Sequence, residues 1–141
     1  GDFAFSLWDP KSRTVLLARD PVGARLLFYH LNNNRLIWST RLESLLDLPD
    51  LRLEVNDEYV AGYLAIHPAQ HLTPYKNIYA VPPAHLLTIR NGAVASRRFW
   101  GLNPDAEIHY RTDQEYEEHF LHLFTEAVRT RLRADGPASE R

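Results

Sequence analysis

The stretch Asp2-Phe3-Ala4-Phe5-Ser6-Leu7-Trp8-Asp9-Pro10-Lys11-Ser12-Arg13-Thr14-Val15-Leu16-Leu17-Ala18-Arg19-Asp20-Pro21-Val22-Gly23 decides the fold. Phe3, Phe5 and Leu7 alternate with Ala4, Ser6 and Trp8, the period of two that marks a strand over Asp2 to Trp8. Asp9-Pro10-Lys11-Ser12 reads as a turn, because proline presets one dihedral and aspartate bonds amides downstream of itself. Thr14 to Arg19 supplies a second strand and Asp20-Pro21-Val22-Gly23 a second turn, with Gly23 expected at positive φ. Outward from there come a third strand, Arg25 to His30, a turn at Asn32-Asn33-Asn34, and a fourth strand, Arg35 to Ser39. Four short strands joined by tight turns predict an antiparallel meander. Leu26 and Phe28 point one way, Leu27 and Tyr29 the other, so the sheet needs cover on both faces.

Farther along, Thr40 to Glu43 fits a capping box for a short helix carrying Leu42, Leu45 and Leu46. Asn56 is placed to cap a second helix through about Ile66, stopped by His67-Pro68. Residues 69–83, with Pro74, Pro82 and Pro83, read as an extended loop. Asn91-Gly92 then joins His85 to Ile89 with Ala93 to Phe99 as a hairpin. Residues 101–111 read as a linker. A second capping box, Thr112 to Glu115, opens a long helix with Tyr116, Phe120, Leu123, Phe124, Ala127, Val128 and Leu132 at helical spacing, ending at Gly136-Pro137. The tyrosines and tryptophans are mostly expected in the core.

Composition narrows the function. The 141 residues carry a net charge of −2, 45% apolar and 24% charged residues. That is a globular composition, without the basic excess that holds nucleic acid or anionic membranes by bulk electrostatics. No apolar run approaches the ~18 residues of a membrane helix, and the expected compartment is the cytoplasm. Cysteine is absent, which excludes disulfides, thiolate nucleophiles and cysteine-ligated zinc. Methionine is absent too, and strand alternation begins at Phe3, so the chain is expected to be a piece of a longer one.

Five collinear segments carry a family resemblance. Gly1-Asp2-Phe3-Ala4-Phe5-Ser6-Leu7-Trp8-Asp9 resembles a G-x-F-A-F-x-L-W/Y-D motif, and Ala18-Arg19-Asp20-Pro21-Val22-Gly23-Ala24-Arg25-Leu26-Leu27-Phe28-Tyr29 resembles A-R-D-x-x-G-x-K-P-L-Y-Y. Trp38 to Leu46 is similar to F-A-S-E-x-K-A-L-L, Val81 to His85 to L-P-P-G-H, and Arg98-Phe99-Trp100 to R-x-Y-W. These are motifs of the class II glutamine amidotransferase domain of glutamine-hydrolysing asparagine synthases. The resemblance implies an α+β fold: part of an N-terminal-nucleophile αββα sandwich, mostly antiparallel, with a C-terminal helix from the next domain. Residues 1–100 would be the C-terminal half of the amidotransferase domain, 101–111 a linker, and 112–141 the start of the ATP-pyrophosphatase-like synthase domain. Arg41 and Glu43 invert a family Glu/Lys pair, while Arg25, Leu26 and Ala84 replace lysine, proline and glycine.

In that family an N-terminal cysteine releases ammonia from glutamine, and ATP with Mg activates aspartate or a related carboxylate as an acyl-adenylate. The cysteine and the glutamine-holding motifs lie before the point where Gly1 aligns; the pyrophosphate loop, S-G-G-x-D-S, lies just past Pro137. The resemblance therefore implies neither active centre here: no catalytic, cofactor-binding or metal residue in this chain. Glutamine, an aspartate-like acceptor and ATP are partners of the longer protein only. The isolated piece is expected to be inactive and to self-associate through uncovered strands.

Residues that invite other chemistry read as structural. Arg19 and Asp20 suit a turn-stabilising ion pair, with Asp20 bonding amides near Gly23. His119 and His122, with Glu118 and Glu126 nearby, share a helix face but lack a third converging zinc ligand, and His67 and His71 fare no better. His85 suits a buried hydrogen-bonding role at a strand start. Ser39, His85 and Asp20 could be drawn as a triad, without a nucleophile elbow around Ser39. Arg129, Arg131 and Arg133 spread around a helix. The rival to the ligase reading is a non-enzymatic interaction module of the same fold; a weaker one is a hydrolase using Ser39.

Overall fold

The computed structural model describes residues 1–32, 35–49 and 51–132. The chain divides into two compact units, Gly1–Leu102 and Asn103–Arg141. In the first, β1 (Ala4–Asp9), β2 (Thr14–Arg19), β6 (His85–Arg90) and β7 (Ala93–Arg98) form one antiparallel sheet in the order β1-β2-β6-β7. A second antiparallel sheet has β3 (Phe28–Asn32) between β4 (Arg35–Ser39) and β5 (Ile78–Ala80). The sheets meet face to face. Val15 and Leu17 of β2 and Leu87 and Ile89 of β6 form one core cluster with Leu27, Tyr29 and Val81. Burial raises the Tyr29 hydroxyl pKa, and neighbouring Tyr79 adds to the effect. The fold is α+β with antiparallel sheets, as the sequence led us to expect.

The four-strand meander does not form. β1–β2 and β3–β4 are hairpins of different sheets, and β2 takes β6 as its second neighbour. The cause is local: the Arg25 N–H donates to Asp20 Oδ2, and the Arg25 carbonyl accepts from Arg19 Nε, so side chains occupy the backbone groups a ladder would need. The third strand accordingly starts at Phe28 rather than Arg25. β5, hidden in the proline-rich stretch, starts after Asn77, which has φ +63°.

The hairpin at Asn91-Gly92 forms with φ of +50° and +78°, the left-handed pair that a tight two-residue hairpin turn requires. At the first turn, Asp9 accepts from the Ser12 hydroxyl (2.6 Å) and the Lys11 amide (2.9 Å), and these bonds lower its carboxyl pKa. The Thr40 capping box is not made: α1 (Glu43–Leu46) has Leu42 at its N-cap with no side-chain cap, while Ser39 Oγ takes the Arg41 amide. Arg41 and Glu43, the inverted pair, face each other at 3.8 Å on the surface. Asn56 does cap α2 (Asp57–Leu64), accepting from the Tyr59 amide.

The two sheets differ in how their outer sides are covered. Register puts Ile78 and Ala80 on the outer side of the second sheet, opposite Tyr79, and both are buried, as is Leu45 of α1. On the first sheet, Phe5 and Leu7 stand on the outer face, 47% and 53% exposed. The tryptophans depart from the core expectation: Trp8, Trp38 and Trp100 are all exposed.

In the second unit, α3 (Asp113–Arg131) is capped by Thr112 Oγ1, which accepts from the Glu115 amide at 3.3 Å. Glu115 reaches back to the Arg111 amide at 2.8 Å, closing the box one residue earlier than the standard pattern. Gly136-Pro137 lies outside the described residues; within them α3 ends at Arg131.

Candidate functional site

The most elaborated polar site is the loop after β2. Asp20 has no exposed surface. Its Oδ1 accepts from the Val22 and Ala24 amides at 3.2 and 3.0 Å, and its Oδ2 from the Arg25 amide at 2.9 Å. Burial by itself would raise the carboxyl pKa, but the amides of Arg25, Ala24, Gly23 and Val22 together outweigh it and hold the group below the ordinary carboxylate range. The Asp20 backbone adds three bonds, to Phe3, Gly23 and Ala84.

Arg19 points its guanidinium into the same loop. Nε donates to the Arg25 carbonyl (2.7 Å), Nη1 to Val81 (3.1 Å) and Nη2 to Gly23 (2.6 Å). Desolvation lowers its pKa and the nearby Asp20 charge partly restores it. The expected Arg19–Asp20 ion pair is thus replaced by a division of labour: the carboxylate takes amides and the guanidinium takes carbonyls. Gly23, at φ +72°, is required twice over, since a Cβ there would sit 2.8 Å from both Arg19 Nη2 and Pro83 Cγ. Ala84 adopts φ +60°, in the left-handed region that favours glycine, the residue the resembled motif carries at that place.

These bonds tie backbone to backbone: the Asp20 carboxylate accepts from three amides and the Arg19 guanidinium donates to three carbonyls, one of them Val81 from beyond the loop. Ser39, His85 and Asp20 are not brought together by any hydrogen bond: Ser39 Oγ bonds Arg41, His85 Nδ1 bonds the Pro83 carbonyl at 2.7 Å, and the Asp20 carboxylate accepts from the Val22, Ala24 and Arg25 amides. His85 is half-buried at the start of β6. His67 and His71 are exposed. His119 bonds the Tyr110 hydroxyl, and Tyr110 packs edge-on against Tyr116 at 4.9 Å. Among the described residues no group of three or more His, Asp or Glu is placed to hold a metal ion. Arg129 faces Glu126 at 3.8 Å, and Arg133 lies outside the described residues. Sequence reasoning missed that the loop is closed from the far side by Val81 and Pro83; the paired prolines beside a family glycine position were the available signal.

The paired antiparallel sheets and the Arg-Asp-Pro-Val-Gly loop, anchored by buried Arg19 and Asp20, point to the class: the chain belongs to the glutamine amidotransferase domain family, which matches residues 1–100. It is similar to asparagine synthetase (glutamine-hydrolyzing) 3 of Bacillus subtilis, 28% identical over 141 residues, covering 97% of this chain and 22% of that protein. It is also similar to amidase chry2 of Gibberella zeae, 31% identical over 144 residues, covering 99% of this chain and 21% of that protein. For amidase chyE of Penicillium rubens the identity is 29% over 144 residues, with 99% and 21% covered. The chain therefore spans about a fifth of the length of the curated relatives it matches. The resemblance to glutamine-hydrolysing asparagine synthases is borne out. No helix among the described residues is long and apolar enough to cross a membrane.

Proposed function

We propose that this chain is the connecting segment of an ATP-dependent carbon–nitrogen ligase of the asparagine synthase type, acting in the cytoplasm. That enzyme would take ammonia from glutamine and, with ATP and Mg, amidate aspartate or a related carboxylate. The observation that carries the reading is the reach of the likeness. The domain family matches residues 1–100, whereas similarity to the asparagine synthetase covers 97% of the chain and so runs on past the amidotransferase region. Residues 112–141 then correspond to the start of the synthase domain, with 101–111 joining the two.

The segment's own part is scaffolding. The Arg19–Asp20 loop fixes where the chain leaves one sheet for the other, and the chain contains no cysteine to serve as nucleophile. By itself it is expected to be inactive and, through the exposed outer face of β1, to self-associate.

The test is the complete reading frame and the activity of its product. We expect an initiating cysteine and an Asn-Gly motif upstream, a Ser-Gly-Gly-x-Asp-Ser loop downstream, and glutamine- and ATP-dependent amide formation with pyrophosphate release. A start codon directly before Gly1 with a stop after Arg141, or an intact protein inert toward glutamine and ATP, would overturn the reading. The first outcome would favour an interaction module.

A further inference from the structure

The geometry points to a small-ligand site on the outer side of the second sheet, with a free α-amino acid as its occupant. A cleft of about 250 Å³ is lined there by His30, Asn32, Leu51, Arg52, Glu54 and Asn77. Nothing in the amidotransferase reading calls on these residues.

His30 is the fixed point. On β3, in register with Ile37 and Ile78, it is only 9% exposed. Its Nδ1 lies 2.7 Å from the Asn77 carbonyl, which can only accept, so Nδ1 carries the hydrogen. The neutral ring then offers Nε2 as a lone pair, and that nitrogen has no partner among the described residues. A buried imidazole held by one nitrogen with the other left open is an acceptor set for an N–H or O–H donor.

The rest of the cleft supplies two opposite charges. Arg52 is exposed and its side chain has no partner among the described residues. Glu54 meets Lys76 at 3.5 Å with both side chains about half exposed, a pair held too weakly to keep a competing ammonium away. A zwitterion fits this set: its carboxylate on Arg52, its ammonium between Glu54 and His30 Nε2, its side chain against Leu51. The volume falls below the roughly 300–1,000 Å³ of pockets for drug-sized ligands, which suits a molecule of amino-acid size.

The test is saturation-transfer difference NMR on the full 141-residue chain, using L-aspartate, L-glutamine and L-leucine as probes and their N-acetyl carboxamides as controls. We expect transfer to at least one free amino acid, mutual competition, and none to the doubly capped forms. Arg52→Ala, at an exposed position that leaves the fold intact, is expected to weaken binding about tenfold, equivalent to about 1.4 kcal/mol. His30→Asn, whose amide nitrogen can take over the Nδ1 bond to the Asn77 carbonyl while nothing replaces the Nε2 acceptor, is expected to do at least as much. Equal transfer to the capped compounds, an unchanged affinity in Arg52→Ala, or no saturable transfer at about 10 mM probe would overturn the assignment.

Discussion

Asp20→Asn is expected to loosen the loop that separates the two sheets while leaving its shape almost unchanged. Asparagine offers one acceptor oxygen where aspartate offers two. Whichever way the amide turns, either the Val22 and Ala24 amides or the Arg25 amide will face an NH₂ donor. An orphaned amide costs about 1–3 kcal/mol when fully buried and less at these part-buried positions, and the surviving bonds fall from charge-assisted to neutral strength. A total of about 2 kcal/mol follows, a large share of the roughly 5–15 kcal/mol that holds a domain. The pH dependence has a definite sign. Because the folded carboxyl pKa is depressed, its stabilisation is complete above the unfolded value near 3.8 and disappears as the pH falls through the lower folded value. The variant has no such group, so the gap between the two proteins should close in acid. Urea denaturation followed by tryptophan fluorescence, at pH 7 and pH 3 and matched protein concentration, reads both effects. Hydrogen exchange at the Val22, Ala24 and Arg25 amides reads the loop directly. A variant within about 0.5 kcal/mol of the parent at pH 7, or a gap that persists unchanged in acid, would refute the reasoning.

Gly23→Ala should cost about 2–4 kcal/mol in the same denaturation experiment, since it combines a left-handed backbone with 2.8 Å contacts to Arg19 and Pro83; a cost under about 1 kcal/mol would show that the loop yields freely. Thr112→Ala removes the α3 cap and should lower stability of that helix by about 1 kcal/mol, seen as faster amide exchange in its first turn; unaltered exchange there would contradict the cap. Leu7→Lys should shift sedimentation velocity profiles toward the monomer, because it places a charge on the exposed face of edge strand β1; a parent that is already monodisperse would remove the premise.

Much of the fold was legible because periodicity and turn chemistry are local. Asn91-Gly92, the Asn56 and Thr112 caps, and the strands β2 and β4 follow from neighbouring residues alone. The division into two sheets was not legible, because it depends on Arg19 and Asp20 occupying the backbone groups of Arg25, an interaction that the strand-like run through His30 conceals. β5 escaped for a similar reason: three residues between prolines carry no period, and only pairing with β3 makes them a strand. The exposed tryptophans show that aromatic content alone does not say which face of a strand is covered. Among candidate residues, Gly23 and the amide-binding role of Asp20 were readable from turn chemistry, whereas His30, lying inside an apolar strand, carried no signal until Asn77 was brought beside it.

The central proposal is that residues 1–100 serve as scaffold of the amidotransferase domain and that the 141-residue chain by itself performs neither reaction. The most direct measurement is a coupled assay of the purified chain for ammonia released from L-glutamine, run beside an assay for ATP-dependent amide synthesis. The account expects no turnover above buffer in either; steady turnover that scales with protein concentration and survives repurification would contradict it.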